Sequence, residues 1–289
     1  MDKVRIAGLG VVGVIVVGLL AFYTLWLGQP LSFALLLIAV LGLALAFVDT
    51  AFGMGFGTLG TPVLLIVGLS SKLAVPSILI AQAASALCGF LLHHRYKNVD
   101  LWNVGSHDRK IAVILVGFGF IGTVAAVFVA LRVPKMYLNS YIGILIIAMG
   151  AIMMLNRKTI FSWWKIVVIS LVSGFNKALS GGGYGPVATT GLVVSGHPIK
   201  NSVGITLFTV AVINILAFAL YLTSKSITSF GLPVFLTIGA LMGSQVGPSA
   251  TKRISSKRAK LAFAAIVIVL GALTIITAIY PVPKLFSMG

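Results

Sequence analysis

The sequence predicts an all-α polytopic membrane protein built as two inverted repeats. Each repeat is a glycine-broken re-entrant helix hairpin followed by three spans, and one extra span precedes them. Three observations carry this prediction: a composition that leaves no surface for water, two glycine clusters at one fixed spacing, and a lopsided distribution of Lys and Arg between the apolar stretches.

Of 289 residues, 59% are hydrophobic and 9% charged, with a mean hydropathy of +1.14. A soluble domain carries about 25% charged residues, so most of this surface is built to face lipid. The longest polar segment, His93–Lys110, has 18 residues and is too short for a soluble domain of its own. The chain therefore reads as one membrane domain over 1–289, with the extra span in 1–30, repeat one in 31–155 and repeat two in 160–280. The formal net charge of +17 would suggest nucleic acid in a soluble protein. Here the basic residues sit between spans with no aromatic-interleaved face, which points to topology signals and anionic lipid headgroups and away from nucleic acid. The single cysteine, Cys88, lies inside an apolar span and excludes an intrachain disulfide framework.

Hydropathy and punctuation suggest spans over 6–27, 74–92, 111–131, 136–155, 201–222, 231–250 and 259–280. The first has a 22-residue apolar run and no small-residue cleavage site, so it reads as a retained span rather than a signal peptide. Two more apolar stretches, 31–69 and 160–196, are broken near their middles by Gly53-Met54-Gly55-Phe56-Gly57 and Gly181-Gly182-Gly183-Tyr184-Gly185-Pro186. A shift of 128 residues superposes Gly53 on Gly181, Gly55 on Gly183, Gly57 on Gly185, Thr61 on Thr189, Gly68 on Gly196 and Lys72 on Lys200. Further on, a shift of 121 aligns Gly122 with Gly243, Arg132 with Arg253 and Gly150 with Gly271.

Charge sets the orientation of the halves. If each broken stretch enters the membrane and returns to the same side, with the N-terminus cytoplasmic, fifteen basic residues lie inside: Lys3, Arg5, Arg95, Lys97, Arg109, Lys110, Arg157, Lys158, Lys165, Lys200, Lys252, Arg253, Lys257, Arg258 and Lys260. Five lie outside: Lys72, Arg132, Lys135, Lys225 and Lys284. Full crossings would erase that bias, so the positive-inside rule favours the hairpins. An odd number of full spans per half then inverts the second half and leaves the C-terminus outside. Inverted repeats with interrupted helices are the sequence signature of a secondary transporter with its site at the midplane. The membrane is the cell's plasma or inner membrane, and a homo-oligomer is compatible with it.

Non-helical backbone in hydrocarbon leaves polar groups unpaired and survives only against protein or a watery cavity. Glycine permits the strained dihedrals and a close approach of ligand to backbone. Thr61 before Pro62, and Pro186 after Gly185, read as starts of the returning helices. Two helix N-termini then aim free N–H groups and positive dipole ends into the middle of the protein, which suits an anion.

Asp49 and Lys177 are the acid and the base deep within apolar stretches, at equivalent positions under the 128 shift. A charge at that depth costs at least ~2.5–3.5 kcal/mol and is normally paired or functional. Either the two form an ion pair locking the halves, or Lys177 attracts the anion while Asp49 carries a coupling proton or responds to the anion's arrival. An opening pair satisfies both. Asn176, Ser180, Gln82, Ser85, Thr206, Asn214 and Gln245 are candidate cavity-liners, with interhelical hydrogen bonding as the alternative for each. His93-His94 reads as an interfacial helix end, since no further ligand stands at metal spacing. With no Glu and four Asp, a carboxylate-pair enzyme is disfavoured. No phosphate loop is present, and no cofactor or metal is expected.

The run Asp49–Pro62 (DTAFGMGFGTLGTP), the segment His94–Leu101 (HRYKNVDL) and the run Gly174–Pro186 (GFNKALSGGGYGP) resemble the TauE/SafE family of sulfite and organosulfur-anion transporters over roughly residues 31–280. The resemblance implies permeation of a small sulfur-containing or carboxylated anion such as sulfite, sulfoacetate or a related sulfonate, by import or export. Carried onto this chain, it implies a substrate site made of Gly53, Gly55, Gly57, Thr58 and Thr61 from the first run. The second run contributes Asn176, Lys177, Ser180, Gly181, Gly182, Gly183, Tyr184 and Gly185. An anion channel, or a membrane scaffold or sensor that binds without transport, are the competing readings.

Overall fold

The computed structural model describes residues 3–26, 28, 31–154, 161–223, 230–248 and 257–280. Arg157, Lys158, Lys225, Lys252, Arg253 and Lys284 of the charge count lie outside them. The described residues form helices and connectors without a strand. The helices are α1 (Lys3–Ala21, running on as a π-turn to Trp26), α2 (Phe33–Phe52), α3 (Phe56–Ile66), α4 (Ser71–Arg95), α5 (His107–Arg132) and α6 (Lys135–Met154). They continue with α7 (Trp163–Ser180), α8 (Tyr184–Val194), α9 (Ile199–Thr223), α10 (Gly231–Ser244) and α11 (Lys257–Ile279). Among the described residues, α2, α4, α5, α9 and Lys135–Ile152 of α6 are long and apolar enough to cross a membrane. Outward-facing side chains such as Val14, Val40, Val113, Phe128, Ile144 and Val269 are apolar and each more than half exposed. Trp102, Tyr137, Trp164 and Tyr280 project near helix ends, where amphipathic rings favour the headgroup level.

The element boundaries follow the same spacing as the glycine clusters. A shift of 128 carries α3 onto α8 and α4 onto α9, end for end. Both breaks are also built alike. Gly53 and Gly181 end α2 and α7 in the left-handed conformation, each with φ 71°. Each donates its N–H four residues back, to the Asp49 and Lys177 carbonyls at 2.7 and 2.8 Å. Beyond each break the chain doubles back. Leu45 of α2 packs beside Gly60 of α3, and Ile169 of α7 beside Gly191 of α8. A straight helix would separate Leu45 from Gly60 by about 22 Å.

Two features of the restart differ from the sequence expectation. α3 begins at Phe56 behind Gly55 (φ 132°), so Thr61 is no cap and Pro62 lies inside the helix. α8 begins at Tyr184 behind Gly183 (φ 80°), which puts Pro186 third rather than first. The glycine, free to hold positive φ, marks the start that proline suggested. Pro186 remains in the first turn, where its missing N–H costs nothing. The predicted span over 231–250 is also shorter, with α10 ending at Ser244.

The halves interlock through reciprocal contacts. A Cβ on Gly57 would overlap the Gly181 carbonyl, and one on Gly185 would overlap the Gly53 carbonyl. α2 lies along α10 and α7 along α5: Gly243 sits on the Leu43 carbonyl, and Gly122 on that of Leu171. Between α6 and α11, Gly143 faces Gly271 while Gly150 faces Ala264, so these two helices run antiparallel. Each contact has its counterpart under the 128 or 121 shift, the pattern of a two-fold contact. At one end of the bundle Asp108 accepts from His197 at 2.9 Å and from Asn201 at 2.8 Å, tying the first turn of α5 to the start of α9.

Gly57→Ala has no room against backbone and is expected to cost about 3 kcal/mol or more. Gly117→Ala, on the outer face of α5 with open space around it, is expected to be neutral or slightly stabilising. Thermal unfolding of the two variants in detergent checks this.

Candidate functional site

The two hairpin tips meet in the interior. Asp49, one turn before the first break, is 1% exposed, as is Lys177 before the second. They are joined, but not directly. Gln82 of α4 stands between them: its Nε2 donates to Asp49 Oδ2 at 2.8 Å, and its Oε1 accepts from Lys177 Nζ. Of the readings the sequence leaves open, a link between the two charges is present in the form of a three-membered bridge through the Gln82 amide. The amide is polarised at both ends, since a carboxylate only accepts and an ammonium only donates. Lys177 Nζ also donates to the Gly181 carbonyl. Asp49 Oδ1 accepts the N–H of Phe56, the first residue of α3, at 3.2 Å.

Other predicted residues join this centre. Ser85 Oγ donates to the Gln82 carbonyl at 3.2 Å. Asn176 Oδ1 accepts from the Tyr141 hydroxyl at 2.6 Å. Ser180 Oγ donates to the Asn176 carbonyl at 2.6 Å and accepts from the Gly182 N–H at 3.1 Å, holding the second tip in shape. Thr206 bonds Thr189 at 3.0 Å, and Thr189 Oγ1 donates to the Gly53 carbonyl at 2.9 Å. Thr58 and Thr61 are buried in α3, and the Thr61 hydroxyl has no hydrogen-bond partner. Tyr184 and Gly185 form the first turn of α8, with no side-chain cap.

Two predicted liners stay apart from the bridge. Asn214 is fully buried on α9 with an unpartnered amide, and Gln245 follows the end of α10, half-buried. Neither has a hydrogen bond to the Asp49–Gln82–Lys177 group among the described residues. His93 also departs from its interfacial reading: it is wholly buried, bonded to the Thr50 carbonyl at 3.3 Å and to Asn98. Among the described residues no group of three metal-ligating side chains gathers. Tyr141 carries no sign of this role in the sequence, and the one sign at Thr189 is its alignment with Thr61 under the 128 shift.

Gln82→Leu leaves a buried carboxylate and a buried ammonium without their bridge and is expected to destabilise by about 3–5 kcal/mol. Removing both ends at once (Asp49→Asn with Lys177→Met) is expected to cost less than the sum of the single losses by about 1 kcal/mol or more. Denaturant unfolding of the wild type and these four variants in detergent measures both.

Comparison with known proteins places this architecture. The "probable membrane transporter protein YtnM" of Bacillus subtilis (strain 168) is 24% identical over 172 residues, covering 54% of this chain and 53% of that protein. The chain thus spans about half the length of the curated relative it matches. No solved structure matches. The family model described as sulfite exporter TauE/SafE matches residues 37–274, both hairpins and the bridge between them included. With that match and its run of apolar helices, the chain is a multi-pass membrane protein of the TauE/SafE family.

Proposed function

We propose that the chain is a secondary transporter that moves a small organosulfur or sulfur-oxyanion, such as sulfite or a sulfonate, across the plasma membrane by alternating access. The observation that carries this reading is the meeting of two glycine-broken hairpin tips around a buried Lys177 bridged through Gln82 to Asp49. The family match supports transport, and the positive helix ends with Lys177 support an anionic cargo. In this reading the halves are inverted about an axis in the membrane plane. The antiparallel packing of α6 on α11 supports that, because equivalent helices spanning along the normal can oppose one another only if the halves are upside down. The hairpins return to the face they entered from, with the N-terminus cytoplasmic and the C-terminus outside. The substrate site combines both glycine runs, and Asp49 carries the coupling proton. Movement of one tip past the other exposes the centre to alternate sides.

Proteoliposome uptake of sulfite, thiosulfate, sulfoacetate and simple sulfonates and carboxylates, under a proton gradient of either polarity, tests the proposal. Accumulation of at least one sulfur anion that depends on the gradient is expected. Lys177→Ala is expected to reduce it about 10- to 100-fold through loss of a charged hydrogen bond. No uptake under either gradient would defeat the transporter reading. Single-channel conductance would make it a channel, and tight binding without flux a scaffold.

A further inference from the structure

We infer that the centre holds one anion seat rather than two, at the tip of the second hairpin, and that Asp49 restricts the substrate to a single acid group. This rests on the centre being an anion site. It starts from an inequality between the two tips that their matching backbones conceal.

The first N–H of α3 is already taken. Asp49 Oδ1 accepts the first N–H of the helix, from Phe56, at 3.2 Å. The chain supplies its own carboxylate where an external acid group would otherwise bind. A second anion placed there would face that carboxylate inside a buried site, where like charges are strongly disfavoured.

The N-terminus of α8 has the opposite surroundings. The position equivalent to Asp49 is Lys177, and no side chain caps the helix. An ammonium has three donors, and Lys177 places two of them, on Gln82 Oε1 and the Gly181 carbonyl. Thr61 adds another. Its counterpart Thr189 is bonded to both the Gly53 carbonyl and the Thr206 hydroxyl. Thr61 instead faces Gly181, whose carbonyl is taken by Lys177, and Ile78, which stands where the second half has Thr206. Its hydroxyl is fully buried and without a partner, against Gly181 at the second tip. The spare donors thus gather at one tip.

The charge balance agrees. At each tip the N-terminus of one helix and the C-terminus of the helix before it bring opposite charges of about one half, and Asp49 offsets Lys177. No surplus positive charge remains to hold a second acid group. A molecule with an acid group at both ends brings a second negative charge that no group at the centre offsets.

Titration calorimetry of the purified full chain in detergent, with ethanesulfonate and ethane-1,2-disulfonate, tests this. Sulfonates keep their charge across the working pH range. Wild type is expected to bind ethanesulfonate, one per chain, about tenfold or more tighter than the disulfonate. In Asp49→Asn, with folding checked by its melting profile, that preference is expected to shrink to about threefold or less through tighter disulfonate binding. Equal affinities in wild type overturn the inference while leaving the anion site standing, and wild type alone decides this if the variant does not fold. An unchanged preference in a folded Asp49→Asn removes Asp49 as the restricting residue. Failure of wild type to bind either sulfonate or sulfite defeats the anion-site reading itself, and the inference with it.

Discussion

A helix interrupted inside a membrane protein frees backbone carbonyls that have no water to turn to, and much of this structure is arranged around two such oxygens. The Gly53 carbonyl takes a hydrogen bond from Thr189, and the Gly181 carbonyl takes one from Lys177. In the first case the donor comes from the other half, so the break in one hairpin is completed by its counterpart. The contact is possible because Gly57 and Gly185 carry no Cβ to hold the two backbones apart. Any larger residue there would separate the tips and return the freed oxygens to an apolar surrounding.

The same geometry explains why the two halves differ chemically while matching end for end in α3, α8, α4 and α9. A symmetric centre with two lysines would be repulsive, and one with two aspartates would be equally costly. One of each is tolerable, and Gln82 lets them interact without meeting. Its amide is the kind of neutral link that a rearranging site can break and remake at low cost, whereas a dry carboxylate–ammonium contact would be far harder to open. Only one half supplies such a link: the position of Gln82 is taken in the second half by the apolar, buried Val210.

Much of the architecture was legible because it is written in residue types with few alternatives. Glycines at one spacing announced the two breaks, and the buried positions of Asp49 and Lys177 followed from their apolar neighbours. The helix starts are less legible, because a proline preceded by threonine looks like an N-terminus even when it sits in the seventh position of a helix. Gln82 was visible only as one polar residue among several on the spans. Its place between the charges depends on the rotation of α4 against two hairpins from different halves, and no local pattern encodes that. The burial of His93 was hidden for a related reason: its partners are the carbonyl of Thr50 and the side chain of Asn98, one from another helix and one from the connector after α4.

The exchange of partners between the halves, α2 lying on α10 and α7 on α5, bears on how the chain is made. When α2 leaves the ribosome, the surface it will cover is still some 200 residues from synthesis, as the pairing of Leu43 with Gly243 measures. At ordinary elongation rates that delay is about 10–40 s. Throughout it the first hairpin holds its buried aspartate and opened backbone without the helix or the second tip that complete them. The first half must therefore be held, by the insertion machinery or by lipid, as an unfinished surface. A chain cut between the repeats would yield two pieces that each lack a lining, rather than two small stable domains.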